Sequence, residues 1–247
     1  MHPIFYKYKS FFLKLKRGFN STLGIEIIKF PTPELDRRIK LFKHHKIDLV
    51  LDVGANIGQY GSELRSIGYT GKIISFEPTS EAFAKLEKLS KKDSNWVVYN
   101  HSLGEFDGNS EINISKNSVS SSILNSLPQL IESAPEAIFI KKEIIIIKKI
   151  DSIFKQLELE NKNIYLKIDT QGYENMVLEG AKESLQYIIG LQIEMALIPT
   201  YENAITFEEM MLKLKKNNFT TTSIESGYYD KITGKLLEVD GVFFKNL

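Results

Sequence analysis

The sequence predicts an α/β protein with a doubly wound, mostly parallel sheet that ends in an antiparallel hairpin. Short apolar segments of strand type alternate along the chain with helical segments, and this alternation is typical of βαβ units. A turn containing two glycines directly follows the first strand-like segment. The last two strand-like segments are joined by residues 227–234 with no helix between them, so we expect them to pair antiparallel.

Each element has its own local signal. Pro33 can open a helix, because the first helical turn needs no N–H donor at that position. Leu49–Val53 is short and largely apolar, as in a buried strand. The predicted elements are a helix at 34–45, a strand at 49–53, a helix at 59–67, a strand at 72–76, a helix at 80–90, a strand at 96–99, an added strand at 111–114, a polar loop at 115–126, a strand at 142–148, a helix at 153–159, a strand at 164–168, a helix at 174–185, a strand at 188–195, a helix at 207–216, and strands at 220–225 and 239–244.

The composition restricts the function classes. The chain has 247 residues, which fits one globular domain with a small appendage. Its 32 basic and 31 acidic residues give a net charge of +1, so we expect no nucleic-acid partner. Cysteine is absent and the four histidines lack a metal-ligand spacing. These counts argue against a zinc finger, a thiol nucleophile and a metalloprotease.

The sequence contains no segment with the length and hydrophobicity of a membrane span. No apolar run is longer than Ile144–Ile147, whereas a spanning helix needs roughly 20 apolar residues. The first alanine is Ala55, so the A-x-A cleavage site of a secretory signal is missing. These observations predict a cytoplasmic protein.

The first 17 residues are basic, with no acidic residue before Glu26. Apolar side chains recur there at helical spacing, at Ile4, Tyr8, Phe11, Leu15 and Phe19. We therefore expect residues 1–47 to form an N-terminal helical extension. Its apolar stripe is expected to pack on the domain or on a second subunit, as in a homo-oligomer. The alternative is peripheral contact of residues 1–17 with an anionic membrane.

The turn Asp52–Gly58 carries the main signal for a ligand. A glycine-containing turn between a strand and a helix lets backbone N–H groups face a ligand at close range. Asn56 stands where the dinucleotide fingerprint has its second glycine, and Asp52 precedes the turn. A carboxylate there would repel a pyrophosphate but attract a sulfonium or ammonium group. A plain turn and an NAD site are the alternatives.

A second acidic residue supports a nucleotide site. Glu77 directly follows the second strand, and an acidic side chain at this place can accept hydrogen bonds from both ribose hydroxyls. Pro78 ends that strand and restricts the turn after it. The two motifs together predict a cationic nucleotide-type ligand at one edge of the sheet.

These motifs resemble the class I S-adenosylmethionine (SAM) methyltransferases. Within that superfamily the sequence resembles the FkbM family in three stretches, Leu51–Gly58, Leu166–Glu174 and Asp240–Phe244, and Asn100–Gly104 and Ser120–Ser122 also fit. The resemblance implies that residues 48–247 are a SAM-dependent methyltransferase domain. It also implies a Rossmann-like sheet of about seven strands with the last antiparallel, and O-methylation of sugar or polyketide hydroxyls.

The resemblance also implies SAM as the cofactor; a divalent metal is allowed but not expected, and no metal ligand is assigned. His101 is expected on the nucleotide side of the site rather than as a general base. Glu174 begins a helix, where a negative charge suits the dipole, and we expect a structural role for it. The residues expected to contact the cofactor are Asp52, Gly54, Ala55, Asn56, Gly58, Tyr60, Glu77, Pro78, Ser102, Leu103 and Asp169.

Two carboxylates are candidates for catalysis. Asp169 ends a central strand of the resembled fold, at the edge where open sheets bind ligands, and can orient the acceptor or serve as general base. Glu194 can line the acceptor pocket beside it. Lys167 shares a strand face with Asp169, and because a buried ion needs a partner we expect it to contact Gln192 or Glu194.

The predicted function is SAM-dependent O-methylation of a hydroxyl group, with a sugar or glycan precursor as the small-molecule acceptor. One alternative is methylation of a polyketide or a lipid-linked acceptor. The other is a SAM-binding or nucleotide-binding module that does not catalyse a reaction.

Overall fold

A computed structural model describes residues 14–24, 29–157 and 159–245. The chain divides into two compact units between Lys40 and Leu41. Residues 14–23 are helical, but residues 1–13, which contain Ile4, Tyr8 and Phe11 of the expected apolar stripe, lie outside the described residues. The expected membrane or subunit contact of residues 1–17 therefore stays a prediction.

The helices and strands follow the predicted order. The helices are α1 (Pro33–His44), α2 (Gln59–Ser66), α3 (Ser80–Ser90), α4 (Pro128–Ser133), α5 (Ile150–Leu157), α6 (Glu174–Glu179) and α7 (Phe207–Lys216), with 3-10 turns at Pro135–Ala137 and Ser184–Tyr187. The strands are β1 (Leu49–Val53), β2 (Lys72–Phe76), β3 (Trp96–Tyr99), β4 (Ser102–Leu103), β5 (Gly108–Ser115), β6 (Phe139–Lys148), β7 (Ile164–Ile168), β8 (Ile188–Ala196), β9 (Phe219–Ser226) and β10 (Glu238–Lys245). None of these described helices is long and apolar enough to cross a membrane.

Seven strands form one sheet in the order β3-β2-β1-β7-β8-β10-β9. The pairs from β3 to β8 are parallel, whereas β10 runs antiparallel to both β8 and β9. This confirms the predicted Rossmann-like, mostly parallel sheet with an antiparallel C-terminal hairpin. The final strand lies inside the sheet, between β8 and β9, so β9 forms the edge.

The central strands β1 and β7 are buried along their whole length. Leu51 of β1 belongs to a core cluster with Leu166 and Ile193, while its neighbour Val50 packs in a second cluster with Leu64 and Tyr165. Successive side chains of a strand point to opposite faces, so both faces of this sheet are covered. The ends of the strands are left as the places where a ligand can approach.

A second sheet of three strands, in the order β4-β6-β5, was not predicted. β5 begins at Gly108 rather than at residue 111, because its polar first residues pair antiparallel with Ile145–Ile147. β6 begins at Phe139 rather than at residue 142, and the short β4 and α4 had no clear sequence signal. The starts of these strands are therefore decided by strand pairing in the folded chain rather than by local composition.

Two helices differ from their predicted bounds. α5 starts at Ile150, earlier than the predicted residue 153. The helix predicted over 174–185 ends at Glu179, and a 3-10 turn follows at Ser184–Tyr187. At Gly180 the backbone passes so close to the second sheet that an added Cβ would lie 1.9 Å from the carbonyl oxygen of Gly104. This close approach leaves no room for a side chain at residue 180, directly after the last residue of α6.

Candidate functional site

A cavity of about 510 Å³ lies at the carboxyl ends of the central strands. Gly54, Glu77, Asp169 and Glu194 line it from the strand ends and from β8, and the loop at residues 117–121 forms another part of its wall. Open α/β sheets bind their ligands at this edge. The fold therefore brings the predicted cofactor and catalytic residues around one space.

The turn after β1 is held by a close contact between two strand ends. Gly54 has φ 77°, and a Cβ there would lie 1.8 Å from the carbonyl oxygen of Asp169. Asn56 also has a positive φ of 47°, a conformation that asparagine tolerates better than most residues. Its side-chain Oδ1 accepts a hydrogen bond of 2.8 Å from the N–H of Ile57. Asn56 thus adopts a left-handed backbone conformation that its own side chain supports.

Glu77 lies at the cavity wall with its carboxylate already held on both oxygens. Oε2 accepts a 2.8 Å hydrogen bond from the N–H of Asn56. Oε1 accepts hydrogen bonds from the N–H and the hydroxyl of Thr79, at 2.9 and 2.6 Å. Burial raises the pKa of Glu77, and these hydrogen bonds partly offset the rise. A carboxylate has about four acceptor sites, so one site, on Oε2, is left for a ligand hydroxyl, not the two that we expected.

Asp52 does not line the cavity. Its side chain is fully buried within the sheet, where Oδ2 accepts a hydrogen bond of 2.9 Å from the hydroxyl of Ser75. Oδ1 lies 3.6 Å from Nζ of Lys167. Burial raises the pKa of Asp52, against the opposing effect of Lys167. The expected direct contact of Asp52 with a cationic ligand is therefore wrong for this arrangement; its carboxylate holds a lysine instead.

Lys167 bridges two aspartates rather than contacting Gln192 or Glu194 as predicted. Its Nζ lies 3.3 Å from Oδ2 of Asp169, in addition to the contact with Asp52. Burial lowers the pKa of Lys167, but the two carboxylates outweigh this effect and raise it. Asp52 on β1 and Gln192 on β8 are both direct register partners of Lys167, but only Asp52 carries a charge. The Gln192 side chain has its own hydrogen bonds with Tyr60 and Asp240. Register and charge together thus decide the ion pair.

The turn after β7 is closed by Glu174. Its Oε1 accepts hydrogen bonds from the N–H groups of Thr170, at 2.8 Å, and Gly172, at 3.2 Å. Gly172 has φ 94°, and a Cβ there would lie 2.7 Å from Cβ of Tyr201. Burial raises the pKa of Glu174 to about 7. Glu174 thus closes the turn after β7, in addition to its expected place at the start of a helix.

Gln171 joins the two predicted catalytic carboxylates. Its Nε2 donates hydrogen bonds to Oδ1 of Asp169, at 3.0 Å, and to Oε2 of Glu194, at 3.1 Å. Its Oε1 accepts a hydrogen bond of 3.0 Å from the hydroxyl of Tyr201. Neither Gln171 nor Tyr201 is among the site residues that the sequence predicts. Gln171 lies two residues after Asp169, at the end of a predicted strand, and this position is the sequence signal for a place in the site.

Glu194 lies among other acidic groups. Asp240 is its direct partner across the antiparallel pair of β8 and β10, and Glu238 lies on the same strand as Asp240. Burial raises the pKa of Glu194 well above its usual range, and the charges of Asp169, Glu238 and Glu174 raise it further. Burial and the neighbouring carboxylates thus favour the protonated form of Glu194 more than water does.

Most of the other predicted cofactor residues line the cavity: Gly54, Ala55, Asn56, Tyr60, Pro78 and Ser102. Nζ of Lys167 lies over the ring of Tyr60, 5.5 Å from the ring centroid. The hydroxyl of Tyr60 donates a 3.1 Å hydrogen bond to the side chain of Gln192. Besides Asp52, two predicted residues do not line the cavity. Gly58, with φ 93°, packs under Trp96 at the start of α2, and Leu103 is fully buried in the core.

His101 is also absent from the cavity wall. Its ring lies near the rings of Phe76 and Tyr99, with centroid separations of 5.4 and 5.5 Å. Burial lowers the pKa of His101 to about 4, so the ring is neutral at physiological pH. It thus packs between aromatic rings beside the site, and its ring does not reach the cavity.

The serine loop is tied to the edge of the sheet. The hydroxyl of Ser122 donates a 2.7 Å hydrogen bond to the backbone oxygen of Gln171. The backbone oxygen of Ser120 lies 3.1 Å from the Tyr201 hydroxyl and is the alternative acceptor for the proton that this hydroxyl can give to Gln171. Ser120 and Ser121 line the cavity, whereas Ser122 serves as the anchor. In the described part of the chain, no group of three or more His, Cys, Asp or Glu is arranged to hold a metal ion.

A family model described as "Methyltransferase FkbM domain" matches residues 52–221. The chain belongs to the FkbM methyltransferase family. The match spans every strand from β2 to β8 and contains the residues that form the cavity wall from Gly54 to Glu194. Family membership confirms the expected resemblance and the expected cofactor, SAM. A search of curated proteins finds no significant match.

Three solved structures are similar to this chain to different degrees. The FkbM methyltransferase of Methylobacillus flagellatus KT is 15% identical, with a TM-score of 0.50, over 80% of this chain and 44% of that protein. This chain therefore spans less than half of that relative. Fibrillarin of Aeropyrum pernix, solved with natively bound SAM, is 9% identical over 79% of this chain and 66% of its own, with a TM-score of 0.44. TehB of Haemophilus influenzae is 12% identical over 94% of this chain and 67% of its own, with a TM-score of 0.46.

Proposed function

We propose that this FkbM protein transfers the methyl group of SAM to a hydroxyl group of a sugar or glycan precursor. The observation that carries the proposal is a single cavity that runs from the Gly54 turn and Glu77 to the carboxylates of Asp169 and Glu194. One part of this wall suits a nucleoside with a charged amino-acid tail. The other part suits a ligand with several hydroxyl groups.

The cofactor part of the cavity fits SAM by its donors and charges. Oε2 of Glu77 retains an acceptor site for a ribose hydroxyl, and Asp169 supplies negative charge for an ammonium or sulfonium group. The backbone at Gly54 and Ala55 lines the space without side-chain bulk. When bound, SAM supplies a methyl group on a positively charged sulfur. The residues of the chain hold the reactants in line and remove the proton of the acceptor.

The acceptor part of the cavity is rich in hydrogen-bond acceptors. Glu194, Glu238 and Asp240 line it together with the amide side chains of Gln171 and Gln192. Such a wall matches the many O–H donors of a sugar, and its carboxylates can accept the proton that a hydroxyl must lose. The same negative charge would repel the phosphates of a nucleic acid. A precursor made in the cytoplasm would agree with the location predicted from the sequence.

A second candidate is a polyketide or lipid-linked acceptor, which one observation favours. Ile112, Ile123 and Leu130 line the cavity, and Val119 of the serine loop lies beside them. An acceptor with an apolar part would bury those side chains from water. The two acceptor classes share the same cofactor and the same chemistry, so only the acceptor distinguishes them.

Two measurements test the proposal. In a thermal-shift series, SAM and S-adenosylhomocysteine should stabilise the protein and NAD and ATP should not, because selective binding stabilises by mass action. Methyl-labelled SAM is then incubated with the protein and a panel of sugar nucleotides, glycans and hydroxylated polyketides. Label recovered as a methyl ether on a sugar supports the proposal. Label on polyketides alone favours the second candidate, and binding without transfer to any acceptor indicates a non-catalytic module.

A further inference from the structure

A second, much smaller cavity lies behind Glu194. Its volume is about 10 Å³, close to the minimum that one water molecule needs. Polar side chains face it from several elements, namely Glu174, Glu194, Thr200, Tyr201 and Glu238. Glu194 and Glu238 line both this cavity and the large one. Glu194 thus forms part of the wall between the acceptor space and a polar pocket of one-water size.

Glu194 and Asp169 differ in how their charge is balanced. Lys167 lies 3.3 Å from Asp169 and, because it is shared with Asp52, compensates part of its charge. Within residues 14–24, 29–157 and 159–245, no Lys, Arg or His side chain forms an ion pair with Glu194. Its Oε2 accepts a hydrogen bond from Gln171, a neutral amide. A carboxylate paired directly with a cation is a weaker base than one without such a pair.

The groups facing Glu194 come from four parts of the fold. Asp169 and Lys167 lie on or directly after β7, and Glu174 opens α6. Glu238 and Asp240 lie on β10, and Tyr201 comes from the segment between β8 and α7. Burial and these carboxylates raise the pKa of Glu194. Lys167 is the one cation in this set, and it is already shared by Asp52 and Asp169.

Glu238 and Glu174 can share a proton with Glu194. Burial raises the pKa of Glu238, and hydrogen bonds from Thr200 and with Glu194 partly offset the rise. Glu174 uses Oε1 for the turn after β7 and borders the small cavity. A water in that cavity has three carboxyl groups within its walls, and one water can make two to four hydrogen bonds.

We propose that Glu194 accepts the proton of the acceptor hydroxyl, and that one water in the cavity behind it passes this proton to the carboxyls of Glu238 and Glu174. This inference rests on the proposed function. The O–H bond of the acceptor breaks and its proton goes to Glu194. The acceptor oxygen bonds to the methyl carbon, whose bond to sulfur breaks and leaves its electron pair on the sulfur. Asp169, held by Lys167, orients the reactants through Gln171.

The first test is a pH–rate series at saturating SAM for the wild type, Glu194→Gln, Glu238→Gln and Asp169→Asn. The wild-type rate should fall in acid with an apparent pKa above the ordinary value for Glu, about 4.3. Glu194→Gln should lose about 100-fold or more in kcat, keep its SAM affinity and show no acid limb. Glu238→Gln should shift the limb to lower pH, because a neighbouring negative charge is removed.

The comparison with Asp169→Asn decides between the two carboxylates. This variant should turn over more slowly but keep an acid limb. An acid limb that survives in Glu194→Gln and disappears in Asp169→Asn would overturn the inference and assign the base to Asp169. If the wild type binds SAM but methylates no hydroxyl, the proposed function itself has failed.

The second test needs no acceptor. Infrared difference spectra of the free protein, recorded while the pH is raised from about 5 to about 9, follow the loss of protonated carboxyl groups. We expect a protonated-carboxyl band that titrates above the ordinary range of Glu and is lost or altered in Glu194→Gln. The exposed-site variant Glu81→Gln is the matched control and should keep it. A wild-type spectrum without such a band would refute the shared proton, whatever the acceptor.

Discussion

The backbone N–H of Asn56 donates a hydrogen bond of 2.8 Å to Oε2 of Glu77. This contact joins the glycine turn after β1 to the residue that follows β2. The two sequence motifs that indicated a nucleotide ligand are therefore one structural unit at the edge of the sheet. A change at Glu77 should affect both the ribose contact and the turn.

Glu77→Ala should weaken SAM binding by about 1–3 kcal/mol, because it removes a charged acceptor of ligand and backbone hydrogen bonds. Isothermal titration calorimetry on the folded variant measures this loss. Glu81→Ala, at an exposed position on α3 whose partner is Lys85, is the control and should leave the affinity unchanged. Equal SAM affinities for the wild type and Glu77→Ala would remove Glu77 from the site.

Lys167→Met should destabilise the fold by about 3–5 kcal/mol, because Asp52 would keep its buried charge without a cation. Urea denaturation followed by circular dichroism measures the free energy of unfolding. Adding Asp52→Asn to the same chain should recover part of the loss, since the unpaired charge is then removed. A loss below about 1 kcal/mol in the single variant would show that water or another group compensates Asp52.

Gly54→Ala should abolish SAM binding or folding, since its Cβ would lie 1.8 Å from the carbonyl oxygen of Asp169. Gly68→Ala is the matched control. Gly68 also has a positive φ, of 87°, but a Cβ there meets nothing within 4 Å. The control should cost only the backbone strain, about 1–2 kcal/mol. Similar melting temperatures and SAM affinities for the two variants would contradict the close approach of β1 and β7.

His101 should make the protein less stable in acid. Burial lowers its pKa to about 4 in the folded protein, whereas an unfolded histidine titrates near 6.5. The unfolded chain therefore binds the proton more readily in this interval. The contribution of neutral His101 is complete above about pH 6.5 and is lost as the pH falls towards about 4.

The comparison of the wild type with His101→Phe isolates this effect, because the carboxyls with raised pKa values are common to both proteins. The free energy of unfolding of the wild type, measured in urea, should fall relative to that of His101→Phe as the pH decreases. Parallel curves for the two proteins would mean that His101 has the same pKa in the folded and unfolded chains.

The order of strands and helices, the glycine turn and the block Asp169–Glu174 could be predicted from the sequence. These features depend on local chemistry: apolar periodicity, residues that adopt a positive φ, and polar side chains at strand ends. Parallel βαβ units bring such strand ends to the same edge without further information. The sequence accordingly predicts Glu77, Asp169 and Glu194 around one site.

The partners of the buried charges were decided only by the tertiary structure. Asp52 and Lys167 are far apart in the sequence, and they meet because the register of β1 with β7 places them side by side. A shift of one residue would turn their side chains to opposite faces. Likewise, Asp240 lies opposite Glu194 only because β10 pairs antiparallel with β8. Periodicity shows which residues form a strand, but the contacts of a buried ion depend on neighbouring strands that the local sequence does not encode.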